Sequence, residues 1–256
     1  MILVILPLLA LIAGFLNGIG ASGGVLMMSG LIISGLSPIE ASALNKICAL
    51  FGSIGALKTF FKDKSLLKTI KPSSIIFSII GAIIGAISAL IINNQFLGRL
   101  FSILITGFFI FDLTKKFWLK PTTSKVMHNY NQDRIYSSSI SFFSGIYNGV
   151  FGPGTLTLSM IPFQVIFGLS VLESLRIATV LNTTTNLTAA IIFSKETIPA
   201  ISTSFLILFI AMIANLIGQT LGSKFATKVN NNLALAISYF SIIGLILTLI
   251  IKYWLN

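Results

Sequence analysis

Two long stretches without any charged residue constrain this chain more than any other feature of its sequence. Residues 1–39 and 135–172 contain no Asp, Glu, Lys or Arg. A helix rises about 1.5 Å per residue, so one straight helix over either stretch would be almost twice as long as the roughly 30 Å hydrocarbon core of a bilayer. Each stretch therefore predicts two shorter helices joined by a break.

Glycine and polar residues mark where each break falls. The first break covers residues 18–24, with the sequence GIGASGG, and the second covers residues 149–155, with the sequence GVFGPGT. Glycine costs about 1 kcal/mol in a helix interior and proline about 3 kcal/mol. Because irregular backbone cannot face lipid with its polar groups unpaired, each break must be buried in protein or line a wet cavity.

The composition excludes an ordinary soluble protein. The 256 residues are 55% hydrophobic and 9% charged, whereas a soluble domain carries charge on about a quarter of its residues. The charge-free intervals 72–98, 177–194, 197–223 and 229–251 are each close to the roughly 20 residues that one spanning helix needs. The sequence predicts an all-α polytopic membrane protein with 8 to 10 membrane segments in a bacterial cell (inner) membrane.

The two halves of the chain resemble each other. Asn17 and Gly18 align with Asn148 and Gly149, and residues 41–45 align with 178–182 at a sequence offset that is larger by six. We attribute this difference to a longer connection in the second copy. The chain then divides into a first transmembrane repeat, 1–113, a basic linker, 114–134, and a second repeat, 135–256. Each repeat is a broken helix or hairpin followed by three helices.

The basic residues predict the orientation. Segments 58–71 and 114–134 hold ten of the 17 Lys and Arg residues, and loops with such an excess stay in the cytoplasm. If the breaks are hairpin tips, each repeat has five segments, the second copy is inverted, and Lys224 and Lys228 are cytoplasmic. If each long stretch is one broken span, there are eight spans and both lysines lie outside. The charge rule favours hairpins, but the sequence leaves both arrangements open.

Matched interruptions in two repeats indicate the substrate site of a secondary transporter, although glycine-mediated helix packing is the alternative. Helices starting near Ser22 and Gly154 would direct N–H groups and partial positive charge at the breaks. Lys46 lies within the apolar segment 41–57, where a charge predicts function unless its side chain reaches back to the headgroups. The candidate substrate-binding residues are Asn17, Gly20, Ser22, Gly23, Gly24, Asn45, Lys46, Asn148, Gly152, Pro153, Gly154, Thr155, Asn182, Thr183, Thr185 and Asn186.

The sequence does not predict catalytic or cofactor chemistry. Cys48 and His128 are the only cysteine and histidine, so we expect no metal, no cofactor and no catalytic residues. Glu40 and Glu173 sit at segment edges, which does not support proton coupling through a buried carboxylate. The predicted partners are a small anionic substrate and the lipid bilayer, with no nucleic acid; a homo-oligomer is left open.

Several motifs resemble the sulfite exporter TauE/SafE family of membrane anion permeases, and the resemblance covers nearly the whole chain. Residues 145–155, GIYNGVFGPGT, resemble the family's G-x-Y-x-G-x-F-G-P-G-T stretch. Residues 181–186, LNTTTN, resemble its L-N-x-T-S-N segment, and residues 44–47, LNKI, are similar to the T-N-K-L segment of one branch.

The chain also departs from the family pattern. Its first break, GASGG at residues 20–24, replaces G-x-G-G-G, and no proline follows before Pro38. Asn148 stands where an acidic residue is common in the family. The resemblance implies export or uptake of small sulfur-containing or organic anions. Together with the matched breaks, it predicts a secondary transporter or facilitated exporter that works by alternating access. The lack of catalytic residues predicts that the protein is not an enzyme. The alternative is a non-transporting membrane scaffold or assembly factor.

Overall fold

The computed structural model describes residues 2–60, 70–118, 130, 133–196, 205–226 and 231–255. No strand occurs in this part of the chain, which confirms the predicted all-α class. His128, Lys228 and most of the two basic segments lie outside the described residues. The helices are α1 (Ile2–Gly18), α2 (Gly23–Ile33), α3 (Pro38–Phe60), α4 (Pro72–Ile91), α5 (Asn94–Trp118), α6 (Arg134–Val150), α7 (Thr155–Phe167), α8 (Val171–Ile192), α9 (Phe205–Phe225) and α10 (Asn231–Ile250), which continues as a π-helical turn over Ile251–Leu255.

Helices α4 and α9 have small residues on their inner faces and large apolar residues on their outer faces. Among the described residues, these two helices are long and apolar enough by themselves to cross a bilayer. Soluble proteins rarely expose apolar patches of this extent, so lipid is the surface that matches them. The exposed side chains include Ile76, Phe77, Ile84 and Ile87 on α4 and Phe205, Phe209, Ile210 and Ile213 on α9.

The first break is a tight reversal between two antiparallel helices. Gly23 at the start of α2 lies against the backbone of Ala13 in α1, and Gly30 further along α2 lies against the side chain of Leu9. Helix α2 therefore returns along α1. Gly20 forms the turn at a φ of 84°, a left-handed conformation that glycine adopts without steric cost.

The second break has the same form. The hydroxyl groups of Ser144 in α6 and Ser159 in α7 are hydrogen-bonded to each other, and Thr155 Oγ1 donates to Asn148 Oδ1 over 3.2 Å. Helix α7 therefore runs back along α6. Of the two arrangements that the sequence left open, this structure has the hairpin at both breaks.

Each hairpin packs through glycines on a helix from the other half of the chain. Gly14 and Gly18 of α1 lie against the backbone of α9, where Gly218 and Gly222 lie against the backbone of α1. Four glycines make the same kind of contact between α4 and α6: Gly81, Gly85, Gly145 and Gly149. Small residues spaced by four let helix backbones approach closely. Gly18 and Gly149, which the sequence assigned to the breaks, are thus helix-packing residues.

Helices α3 and α8 pack against each other. Each also packs on one of the two helix pairs that are joined through glycines: α3 on α9 of the α1–α9 pair, and α8 on α4 of the α4–α6 pair. Each begins with a capping box, in which a serine and a glutamate three residues later bond each other's backbone N–H groups. Ser37 pairs with Glu40 before α3, and Ser170 pairs with Glu173 at the start of α8. The two edge glutamates are therefore helix caps.

The capping boxes also correct the position of the additional residues in the second copy. Between the hairpin asparagines and the pair Ser37 and Ser170, the sequence offset between the two copies grows by two residues. Between that pair and the pair Asn45 and Asn182, it grows by another four. Most of the insertion thus lies inside α8, where it adds about one helical turn before Asn182. The expectation of a longer connection is wrong for this part, and the turn is added to a helix that borders the site.

The end of the linker folds back onto the protein at Tyr130. Its ring makes edge contacts with Phe163 and Phe167, with centroids 5.9 and 5.1 Å away. Burial raises the pKa of Tyr130 to about 12. Lys71 Nζ lies 4.4 Å from the same ring centroid and donates to Asp133 O over 3.0 Å. These contacts hold the start of α6 beside the start of α4.

Candidate functional site

A small cavity of about 20 Å³, enough for about one water molecule, lies where the tips of the two hairpins meet α3 and α8. The tips touch, since a Cβ on Gly24 would lie 3.5 Å from Pro153 Cα. Ala21, Ala49 and Leu156 complete the lining. The structure brings together in the cavity wall Asn17, Ser22, Gly24, Asn45, Lys46, Asn148, Gly152, Gly154, Thr155, Asn182 and Asn186.

Lys46 is buried at the centre of this site, with 1% of its surface exposed. Its ammonium donates to the backbone oxygen of Asn148 and, over 2.5 Å, to Asn148 Oδ1. The lysine therefore points into the protein, and the alternative that it reaches the headgroups is wrong. No acidic side chain in the described part of the chain is bonded to it. A buried charge without a counter-charge costs several kcal/mol.

The side-chain amide of Asn148 connects the second hairpin to α8. Its Nδ2 group donates to Asn182 Oδ1 over 3.3 Å, Thr185 Oγ1 over 2.5 Å and Asn186 Oδ1 over 3.0 Å. Its Oδ1 accepts from Lys46 and Thr155. Asn148 is thus joined to α3, α7 and α8 at once, and the acceptor atoms around it are already occupied.

The unoccupied polar groups of the cavity are mainly hydrogen-bond donors. Asn186 Nδ2 is fully buried and has no partner. The side-chain N–H groups of Asn17, Asn45 and Asn182 face the same cavity, and no acceptor among the described residues bonds them. The Oδ1 of Asn45 and the hydroxyl of Ser22 also have no partner among the described residues, so the cavity combines a buried lysine, several free amide donors and a few free acceptors.

The N-terminus of α2 contributes less than the sequence predicted. The helix starts at Gly23, as expected, but its first N–H groups donate within the hairpin. Gly23 N donates to Ala21 O over 3.0 Å, Gly24 N to Asn17 Oδ1 over 3.2 Å, and Val25 N to Ser22 O over 3.1 Å. The expectation that these groups are free for a ligand is wrong, because the tight turn consumes them. Side chains supply the free donors instead.

Five candidate residues do not line the cavity. Gly20 O accepts from Thr157 Oγ1 over 3.4 Å, and Gly23 packs on α1. Pro153 O accepts from Tyr147 OH over 2.9 Å.

The other two of these five lie on α8. Thr183 donates to Thr179 O of its own helix over 2.7 Å, and Thr185 supports Asn148. Ser42, which the sequence analysis did not select, donates to Phe151 O over 3.3 Å; no sequence signal distinguishes it from other buried serines.

Sequence comparisons identify the family of this chain. The profile of the family described as Sulfite exporter TauE/SafE matches residues 6–251. The chain belongs to this family. The predicted resemblance is therefore confirmed, and the family is one of membrane transporters, not of enzymes.

Curated relatives carry transporter names. The probable membrane transporter protein ORF9 of Sinorhizobium sp. is 30% identical over 167 residues, which cover 64% of this chain and 62% of that protein, less than two thirds of its length. The probable membrane transporter protein YfcA of Escherichia coli K12 is 26% identical over 232 residues, covering 89% of this chain and 80% of YfcA. A probable membrane transporter protein of Haemophilus influenzae is 23% identical over 224 residues, covering 87% and 84%. No solved structure matches the chain.

Proposed function

We propose that this protein is a secondary transporter or facilitated exporter of small anions, with sulfur-containing oxyanions or organosulfonates as its substrates. The observation that carries the proposal is the burial of Lys46, with no acidic side chain bonded to it in the described part of the chain, in a cavity lined by amide side chains with free N–H donors. The relatives named as transporters support the transport activity.

Binding of an oxyanion would complete the charge balance of the cavity. Its oxygen atoms would accept from the Lys46 ammonium and from the amide groups of Asn45 and Asn186, which line the same wall. Hydrogen bonds to charged groups contribute about 1.5–3 kcal/mol each. The anion would compete with Asn148 for Lys46, so binding would loosen the attachment of the second hairpin.

The arrangement of the helices supports alternating access by two inverted repeats. In each half a hairpin precedes three further helices, and the first helix of each half packs on the fourth helix of the other half. Because five segments per repeat reverse the direction of the second copy, the hairpins enter from opposite sides of the membrane. With segments 58–71 and 114–134 in the cytoplasm, Lys224 at the end of α9 is also cytoplasmic.

Uptake of radiolabelled sulfite, thiosulfate and sulfoacetate by purified protein in liposomes tests the proposal. We expect saturable flux of at least one anion, reduced about 100-fold in Lys46→Met, since two charge-assisted hydrogen bonds are lost. The matched control is Lys58→Met, which removes an exposed lysine from the same helix. Absence of saturable flux for every anion, from protein shown to be folded and inserted, would overturn the proposal and favour a scaffold.

A further inference from the structure

The hydrogen bonds of Lys46 are compatible with a neutral amine as well as with an ammonium. Both bonds go to Asn148, to its backbone oxygen and to Oδ1. An ammonium has three N–H donors, and no acceptor among the described residues bonds the third. A neutral amine has two N–H groups, which are enough for both bonds to Asn148. Loss of one proton from Lys46 therefore breaks no hydrogen bond and removes an unpaired buried donor.

The surroundings of Lys46 provide nothing that balances a positive charge. Apart from Lys46 itself, the described residues of the cavity wall are neutral. The cavity has room for about one water molecule, too little water to hydrate a cation. Gly152 of the second hairpin packs directly on the Lys46 amine, where a Cβ would overlap Nζ. Because a buried ionisable group without a counter-charge is more stable when it is neutral, these surroundings favour the neutral amine.

The other ionisable groups near this part of the fold do not line the cavity. Cys48 follows Lys46 on α3 but is buried in the large apolar core. Tyr147, which precedes Asn148, donates to Pro153 O over 2.9 Å. Helices α1, α2 and α7 contain no ionisable side chain. In the other helices that pack on α3, the charged residues are within two turns of a helix end; those with described side chains are Arg99, Glu173, Arg176 and Lys224.

An anion in the cavity would reverse the preference for a neutral amine. One of its oxygen atoms would accept from the third N–H group, and its charge would balance that of the ammonium. An anion therefore binds more tightly to protonated Lys46 than to the neutral amine. By reciprocity, the bound anion raises the affinity of Lys46 for its proton by the same factor.

We propose that Lys46 is the proton-binding site of the transporter and takes up one proton together with each anion. The lone pair of Nζ accepts the proton from water on the side to which the cavity opens, an N–H bond forms, and that water keeps the electron pair of the broken O–H bond. No other group changes its charge. Anion and proton then cross the membrane in the same direction, and a monovalent anion moves without net charge. This inference rests on the proposed function for the anion, but its proton can be counted without transport.

Isothermal titration calorimetry of the purified protein counts that proton. Thiosulfate and sulfoacetate are the probes, because both are fully ionised near pH 8.5. From two buffers with different enthalpies of ionisation, we expect uptake of about one proton per bound anion, whereas a lysine with the ordinary pKa of about 10.4 is already protonated and takes up almost none. The anion affinity should also fall about tenfold for each further pH unit, because each binding event needs one proton.

Two variants identify the group that takes up the proton. Lys46→Arg should bind anions without proton uptake and with an affinity independent of pH, because a guanidinium stays charged throughout. Lys58→Arg is the matched control at an exposed lysine of the same helix, and it should keep both the proton uptake and the pH dependence. If the larger arginine prevents binding, the proton count and the pH dependence of the wild-type protein decide the inference.

The inference and the proposed function fail separately. Binding of either anion with no proton uptake near pH 8.5 would overturn the inference and leave anion transport in place. Proton uptake that persists in Lys46→Arg would also overturn it, since another group would then take up the proton. Thiosulfate uptake into liposomes should acidify the lumen, which a trapped pH dye reports, and saturable uptake without acidification has the same meaning. Absence of both binding and flux for these anions would overturn the two proposals together.

Discussion

The two hairpins share a backbone design but differ in how they are held. The second hairpin is attached to α3 and α8 through Asn148, whose side chain bonds Lys46, Asn182, Thr185 and Asn186. In the first hairpin the equivalent residue, Asn17, accepts from Gly24 N of its own hairpin, and its tip rests on apolar side chains.

This difference indicates that similar sequence motifs perform different tasks in the two halves. When Asn45 is aligned with Asn182, the counterpart of Lys46 is Thr183, so a cation reaches only the second hairpin. Polar side-chain bonds therefore attach the second hairpin to α3 and α8. Apolar seating leaves the first hairpin easier to displace, because its movement separates contacts that carry no charge.

The largest effect is expected from changes to the glycine packing that both hairpins share. Gly14→Leu and Gly145→Leu should each abolish folded protein or lower its melting temperature strongly, because the new side chains would overlap the backbone of α9 and α4. Gly107→Leu is the matched control, since nothing lies within 4 Å of its Cβ position. Yield and thermal melting in detergent measure the effect; unequal losses at Gly14 and Gly145 would contradict equivalent packing of the two hairpins.

A smaller effect on stability should distinguish the two hairpins when their equivalent asparagines are replaced. Asn148→Ala should destabilise the protein by about 3 kcal/mol or more, since it removes the amide that bonds three side chains of α8 and leaves Lys46 with the backbone oxygen of residue 148 as its remaining acceptor. Asn17→Ala should cost about 1 kcal/mol, the typical net contribution of one hydrogen bond. Thermal melting of the two variants side by side makes the comparison. Equal losses would show that the first hairpin is anchored as firmly as the second.

The smallest effect should again be the same in both halves. Ser37→Ala and Ser170→Ala each remove the serine of a capping box and should each cost about 1 kcal/mol. Melting temperatures of the single and double variants measure this, and the two losses should add because the caps belong to different helices. A loss at one serine alone would show that its counterpart does not cap its helix in solution.

Some of these features were readable in the sequence, and others were not. The break positions followed from glycine and proline inside apolar stretches, and Lys46 was identified because its charge interrupts one. The S-x-x-E pattern at residues 37–40 and 170–173 is also a local signal, since it predicts a helix cap from four consecutive residues. These two caps were not identified in the sequence analysis above. The glycine pairs 81/85 and 218/222, which align at the same offset as Asn45 and Asn182, carried the same repeat signal.

Other features depended on the three-dimensional turn. The N–H groups of Gly23, Gly24 and Val25 are consumed within the first hairpin, and this depends on how sharply the chain reverses. No spacing rule predicts which donors such a turn leaves free. For the same reason, Thr183 and Thr185 were both candidates, although only Thr185 points toward Asn148.

The sequence by itself determined the class of protein, the places where helices break and the residue that carries the buried charge. These depend on local composition, because apolar stretches, glycine and an isolated lysine have the same energetic meaning in any membrane protein. Only the tertiary structure decided that Lys46 binds Asn148, which is distant in the sequence, and that Asn148 in turn binds α8. Such contacts depend on how α3, α8 and the two hairpins cross, and those crossings are set by the packing of all the helices together.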